Sequence, residues 1–426
     1  MSREEIEQVE KELDEVLEIV QRPVPVKNTG REETVSLQEN LQENDPLQEE
    51  MQIETEKEEK EEKEDSPESA AKEQTAVSEE ELDLEDDIEN GYFHFLRPSD
   101  GLIAAFFVPV AVLIILFAQR GIFPFGEECF LRTDMYHQYA PFFSEFQYKL
   151  KQGGSLLYSW DIGMGVNFSA LYAYYLASPV NWLIILCPKK FIIEFMTILI
   201  MVKTGLCGVT FTWYLDHHFE KKHFVAGVFG IFYALSGYMA AYSWNIMWLD
   251  CIFLLPLILY GLEQLVQEKK GLFYCVTLGL SILSNYYISI MICIFMVMYV
   301  IVQVILYPPK KIKDLVATGV RFGFYSLLAG GLAAVVLLPE IYALQATASG
   351  DFDFPKTISC YFSIFDMIAR HIGNVGTEIG LDHWPNIYCG VAVLMFLLLY
   401  LGAKKITVRE KAVYCGLLLM FYASFS

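Results

Sequence analysis

Residues 101–119 read GLIAAFFVPVAVLIILFAQ, a run without a single Asp, Glu, Lys or Arg. A bilayer core takes roughly 20 apolar residues per helix, so the run predicts a transmembrane helix, and that reading decides the fold class. Comparable runs follow at 193–215, 224–243, 248–266, 271–284, 287–307, 315–343 and 386–403. A last one starts at 412, runs into the end of the chain and reads as incomplete. The segment 271–307 reads equally as one kinked helix or as two short ones. Together these runs predict an all-α polytopic membrane protein with about nine spans over residues 98–426.

Upstream of the first span the character reverses. The chain carries a net charge of -22 yet is 54% hydrophobic, and the two properties separate along its length. Most of the acid lies in residues 1–95, in runs such as ETEKEEKEEKED at 54–65. Such a segment buries too little apolar surface to offset chain entropy, so a disordered tail is expected. Ile6, Val9, Leu13, Val16 and Val20 alternate at steps of three and four, the pattern of a short helical seam within it. The acidity describes the tail alone and gives no support to nucleic-acid binding.

Lys and Arg concentrate in short cytoplasmic loops, which orients the spans. Lys221 with Lys222, Lys269 with Lys270, Lys310 with Lys311 and Lys313, and Lys404 with Lys405, Arg409 and Lys411 fall in alternate loops. Placing them inside puts the tail in the cytoplasm and makes residues 121–192 a long first extracytoplasmic loop. Lys189 and Lys190 fit only if residues 177–186 do not cross the membrane, so that piece is expected to be a short surface or re-entrant helix.

The loop contains RTDMYHQYAPFFSEFQYKLKQGGSLLYSWDIGMGVNFSALYAYYLASP, residues 132–179. Asp134, His137 and Gln138 stand three and four apart, the spacing an α-helix groups on one face. Asp161 and Asn167 follow after glycine-marked turns. Each has a plainer reading: Asp134 as a helix cap, Asp161 as a turn residue before Gly163, Asn167 bonded to backbone. Asn245, Asp250 and His371 come to the same side from other loops. Ionisable groups at membrane depth face a cavity or one another, so Lys203, midway along its span, needs Asp250, Glu340 or a lipid phosphate as partner. The histidines at 217, 218 and 223 are explained by loop polarity, and much of the Trp and Tyr by an interfacial belt.

Glycine-rich phosphate loops, a GxSxG elbow and an HExxH helix are missing from the sequence, and seven of the nine cysteines sit in apolar segments without paired-ligand spacing, leaving Cys129 and Cys360 as candidates for an external disulfide. The remaining chemistry belongs to carboxylates, amides, tyrosines and histidines. Carboxylates suit Mg or Mn, but their spacing defines no metal site, so no cofactor is assigned.

TDMYHQYAPFFSEF, GGSLLYSWDIGMGVNFSALYAYYLASPVNWL, SGYMAAYSWNIMWLD, SNYYISIMICIF and PNIYCGVAVLMFLL, in this order from about residue 98 onward, resemble the bacterial YfhO family of membrane proteins. The family is placed with the GT-C-type glycosyltransferases, helical bundles that take a sugar from a polyprenyl-phosphate carrier outside the cytoplasmic membrane. The resemblance implies a GT-C-like bundle whose first external loop carries short surface helices. It also implies transfer of the sugar to a cell-surface polymer, teichoic acid-like or another glycan, with Asp134 as catalytic base. Asp161 or Asp250 would stabilise developing positive charge. Arg132, Lys203, Arg370 and His371 are candidates for the departing phosphate, and Arg132 is favoured for its proximity to Asp134. The acidic extension has no counterpart in the family pattern, and members continue with further helices beyond the point where this chain stops. A transporter or lipid flippase is the competing expectation. The one-sided clustering of polar residues and the lack of an internal repeat count against it.

Overall fold

The computed structural model describes residues 97–131, 134–220, 224–346, 363–372, 376–377 and 385–422; the acidic segment 1–95, Arg132, His223 and Cys360 lie outside them. Helix α1 (Pro98–Gln119) leads into the long first loop, which is built rather than open. A π turn at Met135–Tyr139 runs into α2 (Ala140–Gln152). A small hairpin then pairs β1 (Tyr158–Ser159) with β2 (Val166–Asn167) in antiparallel register. Helix α3 (Phe168–Leu171) widens into a second π turn at Tyr172–Leu176, and tighter 3-10 turns follow at Pro179–Leu186 and Lys189–Phe191. The remaining helices are α4 (Ile192–His218), α5 (Phe224–Ala234), α6 (Gly237–Tyr242), α7 (Leu249–Gln267), α8 (Leu272–Ser284), α9 (Tyr286–Leu306), α10 (Ile312–Leu332), α11 (Ala334–Gln345), α12 (Ile364–Ala369), α13 (Val391–Gly402) and α14 (Val408–Tyr422).

Six segments among the described residues are long and apolar enough to cross a bilayer, namely those of α1, α4, the α5–α6 pair, α7, α9 and α10. The protein is thus a multi-span, all-α membrane protein. Its outer surfaces agree with that reading: Val316, Val320, Phe324 and Leu327 stand exposed along α10 at steps of four, four and three, one continuous apolar stripe. Helices α8, α11 and α13 are shorter apolar helices. The sequence expectation of about nine spans therefore divides into full spans and partial ones. At 315–343 the expected single span breaks at Ala333 into α10 and α11, just after Gly330 and Gly331 and ahead of Pro339. Glycine pairs and proline are the usual causes of such a break.

At 271–307 the structure has two helices, with Asn285 between them in an extended conformation. Its side-chain oxygen accepts the Ile288 N–H at 2.9 Å, capping α9, while its amide donates to the Tyr174 carbonyl at 2.9 Å. One residue thus ends the helical run and ties the junction to the first loop.

Helices α1, α4 and α5 meet backbone to backbone. A Cβ on Gly208 would stand 2.1 Å from the Ala105 carbonyl oxygen, and one on Gly230 2.5 Å from the Gly208 carbonyl oxygen. Without a hydrophobic drive between helices in lipid, close approach through small residues supplies the packing. One apolar core lies beneath the first loop, with Met135, Phe143, Phe146, Phe168 and Leu176 packed with residues of α4 and of the segment before α7. A second joins α7, α8, α9 and α10.

The pair Phe168–Leu176 and Pro179–Leu186 bends by 102° at its break. The piece around residues 177–186 thus lies at a steep angle to the one before it, a geometry shared by a broken span and a re-entrant loop.

Candidate functional site

Asp134 stands at the head of the first π turn with its side chain exposed and not used to cap it. Below it, Met135 and Tyr139 are buried in the loop core. The Ala140 N–H bonds back to the Met135 carbonyl, the i→i+5 pattern of a π turn. This corrects the expectation that Asp134, His137 and Gln138 share an α-helical face. His137 is exposed and lies edge-on to the Tyr136 ring, with centroids 5.5 Å apart. Gln138 accepts the Tyr175 hydroxyl at 3.3 Å.

The turn is anchored from beneath. The Tyr139 hydroxyl donates to Asn245 Oδ1 at 2.9 Å, and its ring stacks on Trp244 at 6.2 Å. Burial is the main cause that raises the Tyr139 hydroxyl above the ordinary tyrosine range, and the nearby Tyr175 and Asp134 add to it. Tyr139 therefore stays a neutral hydrogen-bond donor across physiological pH. Asn245 is 3% exposed, so it serves as the acceptor for that donor and presents no surface to substrate.

A second anchor holds the bend of the pair Phe168–Leu176 and Pro179–Leu186. The Ser178 hydroxyl donates to Asp250 Oδ1 at 2.7 Å, and Lys203 Nζ lies 2.5 Å from Asp250 Oδ2 and 3.1 Å from the Ile246 carbonyl oxygen. Lys203 is 0% exposed and Asp250 1%. The two charges neutralise each other and are spent on protein contacts. As substrate contacts, the roles first assigned to Lys203, Asp250 and Asn245, they would have to abandon buried bonds. Their geometry is that of residues that position the loop.

The hairpin residues take the plainer readings. Asn167 Oδ1 accepts the Ala170 N–H at 3.3 Å and the Ser169 hydroxyl at 2.7 Å, capping α3. Asp161 is exposed at the hairpin turn, and its N–H donates to Ser159 Oγ at 3.2 Å. Gly163, Met164 and Gly165 follow with positive φ, the backbone that closes this turn. Glu145 and Lys149 of α2 hold the hairpin in place, through the Ser159 hydroxyl at 2.6 Å and the Tyr158 carbonyl at 2.9 Å.

Among the candidates for the departing phosphate, Arg132 lies outside the described residues. Arg370 is buried and donates to the carbonyls of Pro385 and Gly376 and to Asn386 Oδ1. Burial lowers the pKa of His371 and favours its neutral ring, which weakens it as a partner for phosphate. Sequence reasoning passed over Tyr139, Tyr175 and Ser178. The Ser178–Pro179 dipeptide was the available signal for Ser178, since Ser-Pro favours a turn.

Bacterial membrane protein YfhO is the description of the family whose model matches residues 104–426. The chain belongs to the YfhO family. No curated protein and no solved structure matches it significantly. In this YfhO chain, the segment that leads from α1 to Asp134 borders two adjoining cavities. One of about 730 Å³ is lined by Leu116, Phe117, Arg120, Leu131 and Met239, and one of about 700 Å³ by Phe123, Phe125, Glu194 and Met201. Among the described residues, no group of three or more His, Cys, Asp or Glu is placed to hold a metal ion.

Proposed function

We propose that this YfhO-family chain is a GT-C-type membrane glycosyltransferase that moves a sugar from a polyprenyl-phosphate carrier to a cell-surface polymer on the extracytoplasmic side. The observation that carries this reading is Asp134: an exposed carboxylate, free of capping duty, on a turn fixed from below by the Tyr139–Asn245 bond. A general base needs both access to substrate and a rigid mount. The reaction class is taken from the resemblance to GT-C-type enzymes, and membership of a bacterial membrane-protein family is compatible with it.

In the proposed reaction Asp134 accepts the proton of an acceptor hydroxyl as that oxygen bonds to the anomeric carbon of the donor sugar. The bond from that carbon to the carrier phosphate breaks, and the lipid phosphate leaves with the electron pair. Positive charge develops on the sugar ring, as in glycoside cleavage. The exposed Asp161 is assigned to its stabilisation in preference to Asp250, which is already paired with Lys203. Arg132, two residues before Asp134, receives the leaving phosphate by charge-assisted hydrogen bonds. The apolar cavities beside the approach to Asp134 suit the prenyl chain of the carrier. Every step is assigned to side chains and substrates. Mg or Mn remains an optional addition, to be tried in the assay.

The test is sugar transfer from a polyprenyl-phosphate sugar to cell-surface polymer by the full-length protein, wild type against Asp134→Asn. Loss of a general base typically costs on the order of 10²–10⁴ in rate, and a drop of that size is expected at normal protein level. Undiminished transfer by Asp134→Asn would overturn the catalytic assignment. Carrier movement across the bilayer without sugar transfer would favour the flippase alternative.

A further inference from the structure

Among the described residues, some buried carboxylates are held by several partners at once. Glu263 takes the hydroxyls of Tyr214 at 2.7 Å and Tyr299 at 2.6 Å, with His218 Nδ1 at 2.8 Å. Asp250 has Ser178 and Lys203, and Glu145 has Ser159 and Lys149. Glu340 is held at one oxygen only. It is 5% exposed, and its Oε1 accepts the Tyr286 hydroxyl at 2.6 Å. Its Oε2 is buried with no hydrogen-bond partner among the described residues, and no cation pairs with it there. An unpaired buried acceptor is costly, and its persistence asks for an explanation outside the resting structure.

Its surroundings point to the kind of ligand. Helix α11, which carries Glu340, packs through Val336 against Ala173, inside the second π turn, and Ala177, which follows it at the bend. The Tyr286 ring lies 5.9 Å from Tyr174, and Tyr174 lies 4.7 Å from Tyr175, whose hydroxyl reaches Gln138 of the Asp134 turn. A line of ring contacts thus connects Glu340 to the proposed catalytic turn. Carboxylate oxygens accept sugar hydroxyls, and tyrosine faces receive the apolar C–H face of a sugar ring. The break at Ala333 and Pro339 beside Glu340 interrupt the helical ladder at this point.

We infer that Glu340 is a substrate-contacting carboxylate whose unpaired oxygen binds a hydroxyl of a sugar, the donor's or the acceptor's. This deepens the proposed function and rests on it for the identity of the substrates. The role is tested first without turnover. The wild-type chain in lipid nanodiscs is treated with dicyclohexylcarbodiimide, which modifies carboxyl groups shielded from water, and Glu340 modification is followed by mass spectrometry. A short-chain polyprenyl-phosphate glucose and a poly(glycerol phosphate) acceptor are added separately, and one of them is expected to reduce Glu340 modification at least fivefold. Kinetics then separate the two sources. Glu340→Gln is expected to raise KM by about 10- to 100-fold for the substrate that protects, with kcat within about threefold, while Tyr286→Phe gives a smaller rise in the same KM.

Absence of protection together with an unchanged KM in Glu340→Gln overturns the inference. If Asp134→Asn still abolishes transfer, the glycosyltransferase reading survives that failure. Conversely, protection of Glu340 in a protein that transfers no sugar supports the binding site and sinks the transferase reading. Where Glu340→Gln lowers the amount of folded protein, the protection measurement on the wild type decides alone.

Discussion

At the scale of single residues, the Lys203–Asp250 pair governs how the candidate site is held. Both partners are buried, and Asp250 also fixes Ser178 at the bend between Phe168–Leu176 and Pro179–Leu186. Removing one member of a buried ion pair leaves an uncompensated charge, at a cost of about 3–5 kcal/mol, whereas replacing both by apolar groups is often close to neutral. Lys203→Met is therefore expected to lower thermal stability in detergent strongly, and Lys203→Met with Asp250→Leu to recover most of it. Sugar transfer should stay low in the double variant, because Ser178 has lost its acceptor and the bend its latch. Normal transfer by a stable double variant would show that the pair does not position the site. This pair also marks how far single residues were legible. A lysine midway along an apolar run demands a partner, and Asp250 was one of two acids named for it. The fate of Asn245 was not legible, because its donor, Tyr139, lies 106 residues away in sequence and nothing local links the two.

At the scale of elements, junctions carry the information that periodicity leaves out. The apolar run 271–307 does not say whether it folds as one helix or two. The choice falls on Asn285, whose side chain caps α9 and whose amide grips the Tyr174 carbonyl. Asn285→Ala removes both bonds, and loss of such a cap alone costs about 1 kcal/mol. Faster hydrogen–deuterium exchange is expected at the start of α9 and across Tyr172–Leu176, with exchange in α1 and α5 unchanged. Exchange that rises uniformly over the chain would argue against a local clasp. The same logic explains where element boundaries were missed. Residues 315–343 are apolar throughout the region of the break, so hydropathy alone reads them as one span, while the cue to Ala333 lies in Gly330, Gly331 and Pro339. Likewise the π turn at Met135–Tyr139 cannot be told from an α-turn by spacing, since a one-residue widening leaves the same residues in the same order and only changes which of them face together.

At the scale of the whole molecule, class and family were legible because they rest on summed properties: long apolar runs, a segregated acidic segment and several motifs in fixed order, matched by the family model over residues 104–426. Orientation rests on the same kind of sum. Lys and Arg recur in alternate loops at 221–222, 269–270, 310–313 and 404–411, and this bias is the basis for expecting those loops on the cytoplasmic face. The first loop is then expected on the opposite face, provided the bent pair Phe168–Leu176 and Pro179–Leu186 does not cross. Its 102° bend and the Ser178–Asp250 bond favour a return to the side of entry. Ser155, just after α2, and Lys311, just before α10, test both points at once. With Cys129 replaced by serine, because it is exposed in the native protein, Ser155→Cys is expected to react with a membrane-impermeant maleimide in intact cells. Lys311→Cys is expected to react only after permeabilisation. Labelling of both from outside would mean that the bent pair crosses the bilayer, which would reverse every later loop and separate Asp134 from the residues of α11 that the proposed site requires.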